Sequence, residues 1–405
     1  MIKYVLESKN VEYKDQNWKQ IQNNFLMDSI KEGKKISPDQ LIHEAFKKDM
    51  NIAIKQMGDE ITAKYPKALI FSPIVVVEEI DKEKAKATIT FVVYPKAELD
   101  KFDVNIKPDS KYEPVTKVAV DEVYKKFIAE YPLLKEVDEP IKDNDYVRYD
   151  IEVTKDNQVL YSKKDLDTKV ATDFLPASLS NELVNHKLND VFTFESPEKE
   201  TIKITVNKIF RPFKTQLTND NIKEIKVAGI NSLDDLYKQL SANFKKEMAS
   251  GYLLNFLKKV FITLSEKYGF DLAPILIDTQ VQNFIDDKLA TFPPQRAQEI
   301  RNAIANKQKD GYEIIDIAKT NVRNSLINSI IEYTLSSLMK NKISDEEIDK
   351  FYEIVKEETA FSGPVKLSRE NAADILVKQK MALNLLNLND KDSYQALSND
   401  LGLRI

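Results

Sequence analysis

Ser29-Ile30-Lys31-Glu32-Gly33-Lys34-Lys35-Ile36-Ser37-Pro38 is a lysine-rich loop with helix signals on both sides, and the reading of the fold starts from it. Upstream, Trp18, Ile21, Phe25 and Leu26 recur at helical spacing. Downstream, Ser37 is an N-cap, Pro38 takes the first helical position and Gln40 reaches back as in a capping box. Leu41, Ile42, Ala45, Phe46, Ile52, Ile54 and Ile61 then predict a long helix, interrupted near Gly58. Lys31, Lys34 and Lys35 around Gly33, with Lys47 and Lys48 a helix away, form a compact basic tip able to contact phosphate oxygens without reading base sequence. Charge alone favours an ordinary solvated lysine loop over a binding one.

Beyond these helices the apolar period changes. Ala68 to Ile80 and Ala85 to Tyr94 are rich in β-branched residues, with charges from Glu78 to Lys84 marking a hairpin turn. Residues 1–109 therefore read as an α+β domain. Residues 110–140 read as a connector helix carrying Val120, Val123, Phe127 and Ile128 on one face. Residues 141–212 give short strands (Tyr146 to Val153, Gln158 to Tyr161, Val191 to Phe194, Thr201 to Phe210), a turn at Asp156-Asn157 and one helix from Ser178 to Val184. Residues 213–405 are expected to be long helices: one opened by Ser232-Leu233-Asp234-Asp235, then Pro274 to Phe292, Tyr312 to Lys342, Ser344 to Glu358 and Ser368 to Leu388. Pro293-Pro294 and the stretch from Phe361 to Pro364 punctuate them. The fold class expected is α+β, multidomain.

The chain has 405 residues and a net charge of -5, from 65 acidic and 60 basic residues. A general or sequence-specific nucleic-acid binder is not expected from that balance. With no cysteine and two histidines, His43 and His186, neither a disulfide nor a His/Cys metal site can be built. Eight glycines, none between Gly58 and Gly229, exclude the phosphate-binding P-loop and the dinucleotide-binding turn. No cofactor is expected. The amino terminus reaches Glu7 before an apolar signal core develops, and no apolar run approaches the roughly twenty residues of a membrane span. A soluble, cytoplasmic protein is expected.

This order of parts resembles trigger factor, a bacterial chaperone family that docks beside the ribosomal exit tunnel. The family's docking loop reads G-F-R-x-G-K-x-P; Ser29, Ile30 and Lys31 stand where glycine, aromatic and arginine would, Gly33 and Lys34 match, and the proline comes late at Pro38. Tyr94-Pro95-Lys96-Ala97-Glu98-Leu99 is similar to the family's Y-P-x-x-E-L, and Pro274-Ile275-Leu276-Ile277 resembles its P-x-x-L-I. The resemblance implies ribosome binding, to an exit-tunnel protein and rRNA, through the 29–38 loop by Ile30, Lys31, Gly33, Lys34 and Lys35. It implies a long-helix carboxy-terminal body that holds nascent or unfolded chains, for which Phe256, Phe261, Phe284, Phe292, Leu326, Ile330 and Tyr333 are the apolar candidates. Each of these also fits the core of a helical bundle.

In the family the 141–212 segment is an FKBP-like peptidyl-prolyl isomerase. Tyr149-Asp150-Ile151 resembles its I-D-F strand, Leu175-Pro176-Ala177-Ser178-Leu179 its I-P-G-F-E segment, and Asn185-His186-Lys187-Leu188-Asn189 its G-x-K-x-G turn. The resemblance implies a degenerate pocket at Ile151, Leu160, Tyr161, Phe174, Leu175 and Leu179, with a flap shortened to about 196–200 and weak or absent activity. The alternatives are an active isomerase and a non-ribosomal holdase or assembly scaffold.

Overall fold

In the computed structural model the described residues are 1–156, 158–197, 199–338, 343–358 and 368–401. They are mixed helix and sheet and divide into two compact units. The expected turn residue Asn157, part of the 196–200 flap (Glu198), the end of the helix expected to reach Lys342 and the Phe361 to Pro364 stretch lie outside the described residues.

The first unit comprises Met1–Lys111, Gly251–Asp349 and Arg369–Gln395. Its sheet is antiparallel, with β4 (Lys84–Tyr94) flanked on one side by β1 (Val5–Lys14) and on the other by β2 (Leu69–Ile70) and β3 (Ile74–Ile80). The β1–β4 register runs without a bulge from Val5↔Val93 to Lys14↔Lys84. Alternate residues of β4, Ala85, Ala87, Ile89, Phe91 and Val93, share a buried cluster with residues of α1 (Asp15–Lys31) and α2 (Pro38–Lys64). This is the period of two that a half-buried strand requires. Trp18 anchors the cluster: it stacks on Tyr13 with ring centroids 5.8 Å apart, and its Nε1 donates to the Asp81 carbonyl at 2.8 Å, so that its polar edge is satisfied on burial.

The helices of this unit are the distal part of α6 (Leu233–Lys267), α7 (Pro274–Ala290), α8 (Pro294–Ala305), α9 (Lys309–Ser337), the start of α10 (Asp345–Glu358), α11 (Arg369–Asn389) and the start of α12 (Lys391–Asp400). They are tied to the sheet by specific bonds: Ile2 bridges Phe270, the Tyr94 hydroxyl donates to the Asp271 carbonyl at 2.7 Å, and the Tyr333 hydroxyl donates to the Ala68 carbonyl at 2.8 Å. Gly311 sits so close to α8 that a Cβ there would lie 2.4 Å from the Ala303 carbonyl oxygen.

The second unit comprises Tyr112–Ser250, Lys350–Ser368 and Ala396–Ile405. Besides the short α3 (Lys96–Leu99) of the first unit, the remaining elements are α4 (Lys117–Glu130), β5 (Pro132–Glu136), β6 (Tyr146–Lys155), β7 (Gln158–Lys169), α5 (Ala177–Leu183), β8 (Val191–Glu195), β9 (Thr201–Lys214) and a 3-10 turn at Ile222–Ile225. Its antiparallel sheet runs β5-β9-β6-β7, with β8 also on β9. Ile141, Val147, Tyr149, Val170, Leu183, Ile204, Val206 and Ile209 form its core, and α4 packs Tyr124, Phe127 and Ile128 on a second cluster around Leu133, Ile222 and Leu236. Asn185 (φ 73) and Asn189 (φ 67) take the left-handed conformation that glycine would otherwise supply. Arg211 donates two bonds, at 3.0 and 2.9 Å, to the carboxylate of Asp145, which is 1% exposed.

Several elements differ from the sequence reading. β1, β5 and α8 were not expected, and α2 runs unbroken through Gly58, whose helical backbone leaves room for a Cβ. The helix expected from Tyr312 starts at Lys309, because Lys309 and Asp310 extend its first turn ahead of the buried Gly311.

Candidate functional site

The 29–38 loop is short and fixed at both ends. At the end of α1, Gly33 N–H donates to the Ile30 carbonyl (3.0 Å) and Lys34 N–H to the Ser29 carbonyl (2.9 Å), with Gly33 at φ +70. This is the Schellman pattern, which needs a left-handed residue at this point. Ser29 is in the last helical turn, buried, with its hydroxyl donating to the Phe25 carbonyl at 2.9 Å. At the start of α2 both halves of the capping box form: Ser37 N–H donates to Gln40 Oε1 (3.0 Å) and Gln40 N–H to Ser37 Oγ (3.3 Å).

The tip between these caps carries both apolar and charged groups. Ile30 is 60% exposed and Met27, one turn earlier on α1, is 57% exposed. The sequence reading missed Met27, although the three-residue spacing places it beside Ile30. The basic character is lower than the lysine count implies. Lys34 pairs with Glu32 at 2.7 Å, and that carboxylate raises the lysine's pKa; Lys48 pairs with Asp28 at 2.8 Å, while Lys31 stands 3.9 Å from the same carboxylate. Lys35 is exposed and has no ion pair among the described residues. The tip thus offers two apolar side chains framed by three lysines, of which Lys35 is the least compensated.

The apolar candidates of the helical body separate on burial. Phe256, Leu326 and Ile330 are core residues, which corrects their expected availability as a binding surface: helical periodicity marks an apolar face without saying what covers it. Phe261, Phe284 and Tyr333 are half-buried, and Phe292 is exposed at the end of α7. Tyr333 is committed to its bond with Ala68, and Lys288 lies over the Phe284 ring at 6.0 Å. Phe261 instead opens onto a groove of 340 Å³ between α6, α9 and α11, lined by Leu254, Leu257, Lys258, Ile262, Ser265, Asn328 and Lys378. Leu254 and Ile262 are 40% and 46% exposed there. Neither was expected from the sequence; they lie one turn before and one turn after Lys258 on α6 and line the same groove as Phe261.

In the β-rich unit, Ile151, Leu175 and Leu179 pack against one core cluster, but Leu160, Tyr161 and Phe174 do not join it and are exposed. Leu160 lies at a register shift in the β6–β7 ladder, on a stretch of β7 (158–165) whose residues are all exposed, and Phe174 lies under the ammonium of Lys169 at 5.5 Å. The Asp150 carboxylate accepts from Asp165 N–H (2.9 Å) and Asn207 Nδ2 (2.7 Å); the backbone bond is the larger cause of its lowered pKa. Between β8 and β9, Ser196 N–H donates to the Glu200 carbonyl at 2.8 Å. Among the described residues no group of three His, Asp or Glu is placed to hold a metal ion, and no helix is long and apolar enough to cross a membrane.

No family model matches the chain. Among curated proteins it is similar to a trigger factor of Mesomycoplasma hyopneumoniae (strain 232), 21% identical over 276 residues, covering 64% of this chain and 59% of the relative. It is also similar to a trigger factor of Protochlamydia amoebophila (strain UWE25), 22% identical over 213 residues, covering 49% of this chain and 47% of the relative. The chain thus spans about half to three-fifths of the length of these curated relatives. A solved structure of the trigger factor chaperone, described for promiscuous substrate recognition in folding and assembly, aligns over 95% of this chain and 97% of its own at 14% identity, with a TM-score of 0.32, too loose a superposition to bear on the fold. The sequence similarities support a divergent trigger factor.

Proposed function

We propose that this divergent trigger factor is an ATP-independent chaperone that holds unfolded or nascent chains and docks at the ribosome exit region through the 29–38 loop. The observation that carries the holding function is the groove between α6, α9 and α11, where Leu254, Phe261 and Ile262 leave apolar surface in water beside Lys258 and Lys378. Apolar surface kept open in this way is a binding site for apolar segments. The glycine positions exclude the P-loop and the dinucleotide-binding turn as routes to a nucleotide.

The test is suppression of aggregation of a chemically unfolded client without nucleotide. Leu254 and Ile262 are exposed, so the double variant Leu254→Asp/Ile262→Asp keeps the fold. Losing two apolar contacts of about 1 kcal/mol each weakens client binding by roughly tenfold or more. Unchanged suppression by the folded variant overturns the assignment of the groove.

Isomerase activity is weak or absent in this reading. Three of the six expected pocket residues, Leu160, Tyr161 and Phe174, are exposed and lie outside the core cluster that the other three join, and Asp150 is engaged by backbone and amide donors. An X-Pro bond faces a barrier of about 18–20 kcal/mol, and lowering it needs a continuous apolar cradle around the twisted amide. In a proline-limited refolding assay the full chain should leave the slow phase unaccelerated; strong acceleration favours the isomerase alternative.

A further inference from the structure

The groove between α6, α9 and α11 belongs entirely to the first unit, and its charge is one-sided. Lys258 and Lys378 line it, and no carboxylate among the described residues does. Lys378 is already paired with Asp374 on its own helix at 2.7 Å, whereas Lys258 is exposed and has no ion pair among the described residues. Lys258 also stands between the exposed apolar groups of the groove: Leu254 precedes it by one helical turn and Ile262 follows it by one. From α9 the groove is lined by Asn328, which is exposed and whose side-chain amide makes no hydrogen bond among the described residues. We propose that the groove selects extended segments that carry a carboxylate between two apolar side chains, an inference that rests on the groove's holding function.

The spacing of the segment follows from the two backbone rises. Leu254 and Ile262, eight positions apart on α6, are separated by about 12 Å at roughly 1.5 Å per residue. An extended chain covers that length in about four residues of roughly 3.3 Å, and its alternate side chains share one face. Apolar residues at i and i+4 of the segment therefore meet Leu254 and Ile262, and residue i+2 meets Lys258 between them. A helical ligand satisfies its own backbone, whereas an extended one brings unpaired N–H and C=O groups; the Asn328 amide carries both a donor and an acceptor to meet them. A carboxylate at i+2 finds a cation with no competing anion. A lysine there meets like charge, and an uncharged residue gains the apolar contacts alone. An exposed ion pair of this kind strengthens binding by about twofold to fivefold at low salt.

The test titrates the full chain into labelled, unstructured peptides with a Leu-Ser-X-Ser-Leu core, in which X is Asp, Asn or Lys, and reads binding by fluorescence anisotropy at low salt. The Asp peptide is expected to bind about threefold more tightly than the Asn peptide and about tenfold more tightly than the Lys peptide, with the three converging to within about twofold near 1 M salt. Lys258→Glu, a substitution of an exposed side chain with no ion pair among the described residues to lose, should invert the order of the Asp and Lys peptides. Equal affinity of the wild-type protein for all three peptides, or an unchanged order in Lys258→Glu, overturns the selection and leaves the holding function standing. Failure of the holding function reads differently: the Asn peptide then binds Leu254→Asp/Ile262→Asp as tightly as the wild type, or no peptide binds the wild type, and either result overturns the selection with it.

Discussion

Gly33 and Gly311 show two distinct needs for a missing side chain. At Gly33 the need is conformational: φ is +70 and nothing lies within 4 Å of a Cβ, so Gly33→Ala costs about 1–2 kcal/mol of left-handed strain with no clash. At Gly311 the need is steric, since the Cβ of Gly311→Ala would press on the backbone of Ala303, and α8 and α9 must separate. Gly251 is the control: it lies inside α6 with open space around it, so Gly251→Ala gains helix propensity. Thermal unfolding of the three variants should show Gly311→Ala destabilised by about 1–3 kcal/mol and Gly251→Ala stabilised by about 0.5–1 kcal/mol. The Gly33 requirement was legible in the sequence as a break within a lysine cluster. The Gly311 requirement was not, because the contact is with α8, an element that Pro293-Pro294 concealed by reading as punctuation, whereas Pro294 occupies the first helical position.

The elements recovered best are those whose ends carry their own chemistry. The capping box of α2 was read from Ser37 and Gln40 and forms with both bonds, so Ser37→Ala should destabilise the first unit by about 1 kcal/mol in urea unfolding. β1 was missed because Glu7, Lys9 and Glu12 interrupt its apolar alternation; it is held as a strand by its ladder to β4, a partner about eighty residues away in the chain. Carboxylates that bind across elements set the acid limit. Glu7 is held below the usual carboxylate range by Lys64 and Tyr65, Asp103 by Lys267, Glu139 by Arg211 and Glu347 by Lys380. Each has a folded-state pKa below its unfolded value, so its contribution is complete above the unfolded value, near pH 4, and is lost as pH falls through the lower folded one. Stability followed by circular dichroism should stay level from neutrality to about pH 5 and decline below about pH 4. A decline centred near pH 6 would contradict this assignment to carboxylates.

At the scale of the whole molecule, the mixed helix and sheet class and the sequence of element types were legible, because strand and helix periods alternate in long blocks. The open surface was not. Phe256, Leu326 and Ile330 share the apolar period of Phe261, and only packing decides that the first three are covered while Phe261 borders the groove with Leu254 and Ile262. The balance of the basic tip was hidden too, since Asp28 reaches Lys48 only once α1 and α2 are folded together, and Glu32 meets Lys34 only in the loop conformation of the tip. Ribosome docking through that tip is the central claim, and cosedimentation tests it most directly. Wild-type protein should pellet with ribosomes at low salt, and the Lys31→Ala/Lys34→Ala variant should pellet roughly tenfold less, the loss of about two charge-assisted contacts. Equal pelleting of the two, or pelleting of neither, would contradict it.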